Sequence, residues 1–207
     1  MKNWPEPFNL VVCGVGGQGN ILISRIIGRI LTAQGYTVSI GETFGAAQRG
    51  GSVFSSLRIS EERLYGPLIP EGQANVILSL EPMEALRQMK FLGNPQVRVL
   101  SNTKIVQPAD VLTGKVTYPG IDKLKSAIAH LSKHAWFVPA TDIALDLGSA
   151  IVTNIVMLGA LVGSKTMPIS LKQAEDEVRA TIPDAQIELN LEALNRGYQT
   201  TLGADAA

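Results

Sequence analysis

The run Phe8-Asn9-Leu10-Val11-Val12-Cys13, followed directly by Gly14-Val15-Gly16-Gly17-Gln18-Gly19, decides the fold class. Its first half is a short stretch of strand formers that stops at a glycine. From Ile21 to Leu31 the apolar residues recur at helical spacing, with Arg25 and Arg29 on the opposite face. The order is therefore strand, glycine turn, helix. The turn satisfies G-x-G-x-x-G in the context where that pattern carries a mechanism. Gly14 is expected to permit the tight turn, Gly16 to let a ligand approach the backbone, and Gly19 to allow close helix–strand packing. The first amides of the helix would then be free to bind an anion.

Outward from this turn, Gly35 ends the helix and Thr37 to Ile40 reads as a second strand, completing a βαβ opening. Gly41 to Ser52 is a connection rich in small and polar residues. Val53–Ile59, Asn75–Leu80 and Val97–Leu100 read as further strands, and Pro82 opens a helix that runs to about Leu92. Ile121 to His134 is amphipathic and Trp136–Val138 is a short strand. Helical stretches then follow at Ala150–Val162, Leu171–Ala180 and Ile187–Tyr198. The expectation is a single domain over residues 1–207. It is an α/β, Rossmann-like fold, with a mainly parallel sheet, helices on both faces and a helical C-terminal third.

Composition agrees and excludes alternatives. With 45% hydrophobic residues, 5% aromatic residues and 20 glycines, the chain suits aliphatic strands under helices rather than an all-β class. Lys plus Arg and Asp plus Glu each number 18, so no net field points to nucleic acid or an anionic membrane. The single cysteine, Cys13, cannot form an internal disulfide or supply the four thiolates of an iron–sulfur cluster. Met1 to Pro7 carries no leader pattern, which gives a cytoplasmic expectation. The most apolar stretch, Ala150–Val162, is shorter than the ~20 residues that span a bilayer, and reads as a buried helix.

By itself the glycine pattern leaves two readings open. One is a free-standing NAD-dependent dehydrogenase, with Glu42 after the second strand as an acid for the ribose. In the other, the glycines only build the turn, as in a purely architectural subunit. The second motif is Glu42-Thr43-Phe44-Gly45-Ala46-Ala47-Gln48-Arg49-Gly50-Gly51-Ser52. Its small residues let backbone approach a bulky partner, and the Arg49 guanidinium suits a phosphate or carboxylate. Because both motifs leave strands at the same carboxyl edge, they are expected to meet there.

Taken together, GVGGQG, the following SRIIGRIL, and ETFGAAQRGGSV about twenty residues later resemble the gamma-type domain of the pyruvate/ketoisovalerate ferredoxin oxidoreductase family, in particular its indolepyruvate-type members. Asn154–Leu161 and the Asn190…Gly197 segment extend the similarity nearly end to end. The resemblance implies a small, cluster-free subunit of a complex that oxidatively decarboxylates an aryl 2-oxoacid such as indolepyruvate. Coenzyme A would be the cosubstrate and ferredoxin the electron acceptor. It also implies that thiamine diphosphate, magnesium and [4Fe-4S] clusters lie in a large partner subunit, with none in this chain. Gly14, Gly16, Gly17, Gln18 and Gly19 would then be the cofactor-facing turn. Glu42, Gln48, Arg49, Gly50, Gly51 and Ser52 would face coenzyme A or the partner. Many relatives have histidine where Phe44 stands, so a proton-transfer role at that position does not carry over.

No residue is assigned as catalytic and none as a metal ligand. His130 and His134 share a helix face at i, i+4 spacing, but no third ligand is near in sequence. Cys13 is expected to be a buried small hydrophobe, Glu81-Pro82 a helix start, and the Ala150–Val162 helix part of the core, with Gly159 and Ala160 admitting a close neighbour.

Overall fold

The computed structural model describes residues 4–43, 51–106 and 118–204. Six strands form one sheet: β1 (Phe8–Val15), β2 (Thr37–Thr43), β3 (Ser52–Ser60), β4 (Val76–Ser79), β5 (Arg98–Asn102) and β6 (His134–Val138), in the order β2-β3-β1-β4-β5-β6. The pairs β1–β4, β4–β5 and β5–β6 are parallel. β3 is antiparallel to both β1 and β2, so among the described residues it alone runs against the other five strands.

This inserted strand corrects the expected opening. β1, α1 and β2 follow in sequence, but β3 lies between β1 and β2, pairing with β1 from Phe8↔Ile59 to Val15↔Ser52. β2 therefore stands two strand spacings, roughly 10 Å, from β1 and becomes the sheet edge. Helix α1 (Asn20–Ala33) still crosses to it, and Gly28 faces Ile40 so closely that a Cβ there would be 2.9 Å from Cδ1.

The alternation along β1 explains the layers. Leu10 and Val12 point into one core with Ile23, Ile26 and Ile27 of α1. Val11 and Cys13 point into the other, with Ala85 and Met89 of α2 (Pro82–Leu92) and Ile128 of α3 (Ile121–Leu131). Both faces are thus covered, as a sheet with apolar residues on both sides requires.

The chain then runs through α4 (Ala140–Asp146), a 3-10 turn at Ala150–Val152, α5 (Thr153–Gly163), α6 (Leu171–Thr181) and α7 (Ile187–Thr201), giving the helical final third. From Asn154 to Gly163 every residue of α5 is buried, as its lack of a polar face predicts. No helix among the described residues is long and apolar enough to cross a membrane.

Candidate functional site at the carboxyl edge

The glycine turn follows β1 at the end of the sheet where the parallel strands finish. Gly17 (φ 101°) and Gly19 (φ 86°) take the left-handed conformation, and here only glycine is free of strain. Gly14 has a different role from the expected one. A Cβ on it would lie 2.6 Å from Gln18 Oε1, so its bare backbone makes room for the Gln18 side chain. Gly19 likewise admits the Asn154 side chain of α5, in place of the expected helix–strand contact.

Gln18 fills the turn. Its Oε1 accepts from Val15 N–H at 2.7 Å and its Nε2 donates to Leu80 O at 3.3 Å. Its own N–H donates to Val15 O at 3.1 Å, and Gly16 N–H donates to Gly51 O at 2.8 Å. Three amides of the loop are therefore spent within the chain. A dinucleotide fold keeps such amides free for the pyrophosphate. Leu80 O also accepts from Asn102 Nδ2 at 3.2 Å, and Asn102 Nδ2 in turn lies 2.9 Å from Thr141 Oγ1. The polar groups at the ends of β1, β4 and β5 thus form one network, beside which the buried Asn20 Oδ1 stands without a hydrogen-bond partner among the described residues.

The two sequence motifs do meet. The Gly16–Gly51 bond joins them directly, and Asn20 Nδ2 adds a bond to Val53 O at 3.1 Å. Beside them lies a cleft of about 470 Å³ lined by Gly16, Gly17, Gly19, Glu42, Thr43 and Phe54 among others. Glu42 stands in β2 opposite Ser55, with Arg25 Nε 3.8 Å from its carboxylate. Such a half-exposed pair contributes little to stability. The lining is largely apolar with one carboxylate, an environment less suited to a diphosphate than to a protein side chain or an uncharged ligand group. Gly51 and Ser52 are at the head of β3. Phe44, Gln48, Arg49 and Gly50 lie outside the described residues.

Two residues not singled out for function by the sequence stand at the head of α2. Glu81 caps the helix, its Oε2 accepting from Glu84 N–H at 3.0 Å, as the acid-proline pair predicts. It is also only 1% exposed, and its Oε1 accepts from Val106 N–H at 3.4 Å and from the Tyr118 hydroxyl. Glu84 is 6% exposed, takes a hydrogen bond from the Ser52 hydroxyl, and pairs with Arg87 Nε at 3.2 Å. Burial holds the Glu84 carboxyl above the usual carboxylate range; Ser52 and Arg87 pull it back, and neighbouring Glu81 raises it further. Burial and the bond to Glu81 likewise raise the Tyr118 hydroxyl.

Two smaller expectations are settled by position. His134 opens β6 rather than ending a helix, because α3 stops at Leu131, so it and His130 share no helix face. Cys13 is fully buried in the second core, 3.3 Å from Ser79 Oγ, and burial pushes its thiol far above the range in which a thiolate forms.

Comparison with known proteins places this geometry. The pyruvate ferredoxin/flavodoxin oxidoreductase family matches residues 9–200. The indolepyruvate oxidoreductase subunit IorB of Archaeoglobus fulgidus is 41% identical over 94% of this chain and 95% of its own length. Among solved structures, a keto/oxoacid ferredoxin oxidoreductase gamma subunit from Geobacter sulfurreducens superposes with a TM-score of 0.72, at 24% identity, covering 97% of this chain and 99% of that one. The 2-oxoglutarate:ferredoxin oxidoreductase from Magnetococcus marinus, solved with 2-oxoglutarate, coenzyme A and succinyl-CoA bound, gives a TM-score of 0.76 at 20% identity, with 98% of this chain matching 32% of that chain. The same fold therefore stands alone in one protein and within a longer polypeptide in another, and this chain belongs to the pyruvate ferredoxin/flavodoxin oxidoreductase family.

Proposed function

We propose that the chain is the small, single-domain subunit of a cytoplasmic 2-oxoacid:ferredoxin oxidoreductase of the indolepyruvate type. The observation that carries this reading is the 41% identity to an IorB subunit over 95% of that subunit's length. In this reading the complex converts an aryl 2-oxoacid and coenzyme A to an acyl-CoA and carbon dioxide, passing two electrons to ferredoxin. A large partner subunit holds thiamine diphosphate, magnesium and the iron–sulfur clusters. The single buried Cys13 supports this division of labour, since this chain has too few thiolates for a cluster.

The free-standing dehydrogenase reading loses its main support at Gln18, whose side chain and backbone consume the amides a pyrophosphate needs. The carboxyl edge is instead the face that meets the large subunit or coenzyme A. Glu42, Gly51 and Ser52 lie on it, and Gln48, Arg49 and Gly50 complete it in sequence.

Reconstitution tests the reading. The isolated chain is expected to be inactive, and mixing it with the large subunit to restore coenzyme A-dependent reduction of ferredoxin; turnover by the isolated chain overturns the assignment. Arg49→Ala is expected to leave the fold intact but to weaken assembly by about 2–5 kcal/mol or raise the KM for coenzyme A, as loss of a desolvated charge-assisted contact does. Unchanged assembly together with unchanged coenzyme A kinetics removes Arg49 from the interface.

A further inference from the structure

We propose that Glu81 and Glu84, at the head of α2, are positioning residues that hold the carboxyl edge in register, with Glu84 acting on the glycine turn through Ser52. A helix start needs one capping group, yet α2 buries two carboxylates within its first turn. Burying a carboxylate is costly unless its oxygens are hydrogen-bonded, so the partners indicate the use. Besides the helix's own Glu84 N–H and Arg87, those partners belong to chain roots at the carboxyl edge. One oxygen of Glu81 receives both Val106 N–H and the Tyr118 hydroxyl, drawing together the residues just before and just after segment 107–117.

Glu84 receives the hydroxyl of Ser52, the first residue of β3, which follows segment 44–50. The residues on either side of Ser52 are tied the other way. Gly51 O takes Gly16 N–H at 2.8 Å and Val53 O takes Asn20 Nδ2 at 3.1 Å. The head of β3 is thus stretched between α2 and the glycine turn, and releasing Glu84 frees it to shift against Gly16, which lines the cleft.

That this register matters for coenzyme A or assembly rests on the function proposed above, so the test has one readout that does not depend on it. Amide exchange is measured residue by residue in the full chain. Ser52→Ala and Glu84→Ala are each expected to lower protection of the Gly16 amide about tenfold, with Val11 and Ile77 at the sheet centre unchanged. The double variant should be no worse than the poorer single, because both remove one contact. Ser52→Thr and Glu84→Gln, which keep a donor and an acceptor, should restore protection; they also decide the matter if either alanine variant fails to fold.

In the reconstituted complex the alanine variants should raise the KM for coenzyme A about tenfold, while kcat stays within about twofold. Unchanged Gly16 protection, or a loss shared by all sheet amides, overturns the proposal. Loosened Gly16 with unchanged coenzyme A kinetics and subunit affinity supports the clamp and instead removes the functional reading of the edge.

Discussion

Glycines serve opposite ends at the two ends of this molecule. Where α5 crosses α7, Gly159, Gly163 and Gly197 let backbone meet backbone: a Cβ on Gly197 would overlap Val156 O, and one on Gly159 would overlap Leu194 O. The Thr201 hydroxyl crosses the same seam to Ala160 O at 2.7 Å. At the carboxyl edge, Gly14 faces the end of a flexible side chain, Gln18 Oε1, and Gly17 faces nothing within 4 Å. The first set fixes the spacing between the buried α5 and the inner face of α7. The second shapes a turn and makes room for side chains rather than for backbone. A glycine-rich motif therefore reports conformation or close approach, and only the atoms opposite it distinguish a ligand site from a packing seam.

The comparison is broken most forcefully at the seam. Gly197→Ala gains about 1 kcal/mol of helix propensity, but its methyl meets a backbone carbonyl that no rotamer change can clear. Forced repacking of a full core outweighs that gain, and a net loss of about 3 kcal/mol is expected. At roughly 2–4 °C per kcal/mol for a chain of this size, thermal denaturation should show Tm lower by about 9 °C. Gly66→Ala is the matched control, because nothing lies within 4 Å of its Cβ position; its Tm should stay within about 2 °C of the parent. Equal effects at the two positions would show that the α5–α7 contact is not the constraint described.

The sequence disclosed the parts that depend on local pattern. β1, the glycine turn and α1 follow from periodicity, and Pro82–Leu92 agrees at both ends because proline and glycine punctuate it. The burial of Asn154–Val162 followed from its apolar run, whereas Ala150 and Ile151, read as the start of the same buried helix, lie exposed in a 3-10 turn; the helix for which Gly159 makes room is the chain's own α7. The insertion of β3 between β1 and β2 was not legible, because its pairing is set by distant partners in β1, from Val15↔Ser52 to Phe8↔Ile59. Helix α4 was missed because its seven residues give too short a period to read. Glu81 looked like a cap and is one; its contacts with Val106 and Tyr118 arise only when β5 and the start of α3 are brought alongside.

The turn sharpens the same comparison with a smaller effect. Gln18→Ala leaves Val15 N–H without its acceptor in a partly buried position, and a loss of about 1 kcal/mol, near 3 °C in Tm, is expected. Calorimetric titration of the parent chain with NAD, NADP and FAD should show no affinity better than roughly millimolar, about 4 kcal/mol of binding free energy. Micromolar binding by the parent would make the filled turn a dinucleotide site and revive the dehydrogenase reading.

The smallest expected effect is the pH dependence contributed by Glu84. Its folded-state pKa is raised above the ordinary value of 4.5, chiefly by burial. Above pH 4.5 the unfolded chain has lost this proton while the native chain still holds it, so the native state binds more protons. The linkage slope is then negative: the contribution is fully present below pH 4.5 and is lost as pH rises through the folded-state value. Glu84→Gln cannot titrate, keeps an acceptor for Ser52, and loses only a half-exposed partner in Arg87. Its stability relative to the parent should therefore increase from pH 4.5 towards neutrality, measured as paired urea midpoints at constant ionic strength. A relative stability that falls over that range would mean that Ser52 and Arg87 outweigh burial at this carboxylate. The Glu84 carboxyl would then lie below its ordinary value, and the head of α2 would be held by charge rather than by a desolvated hydrogen bond.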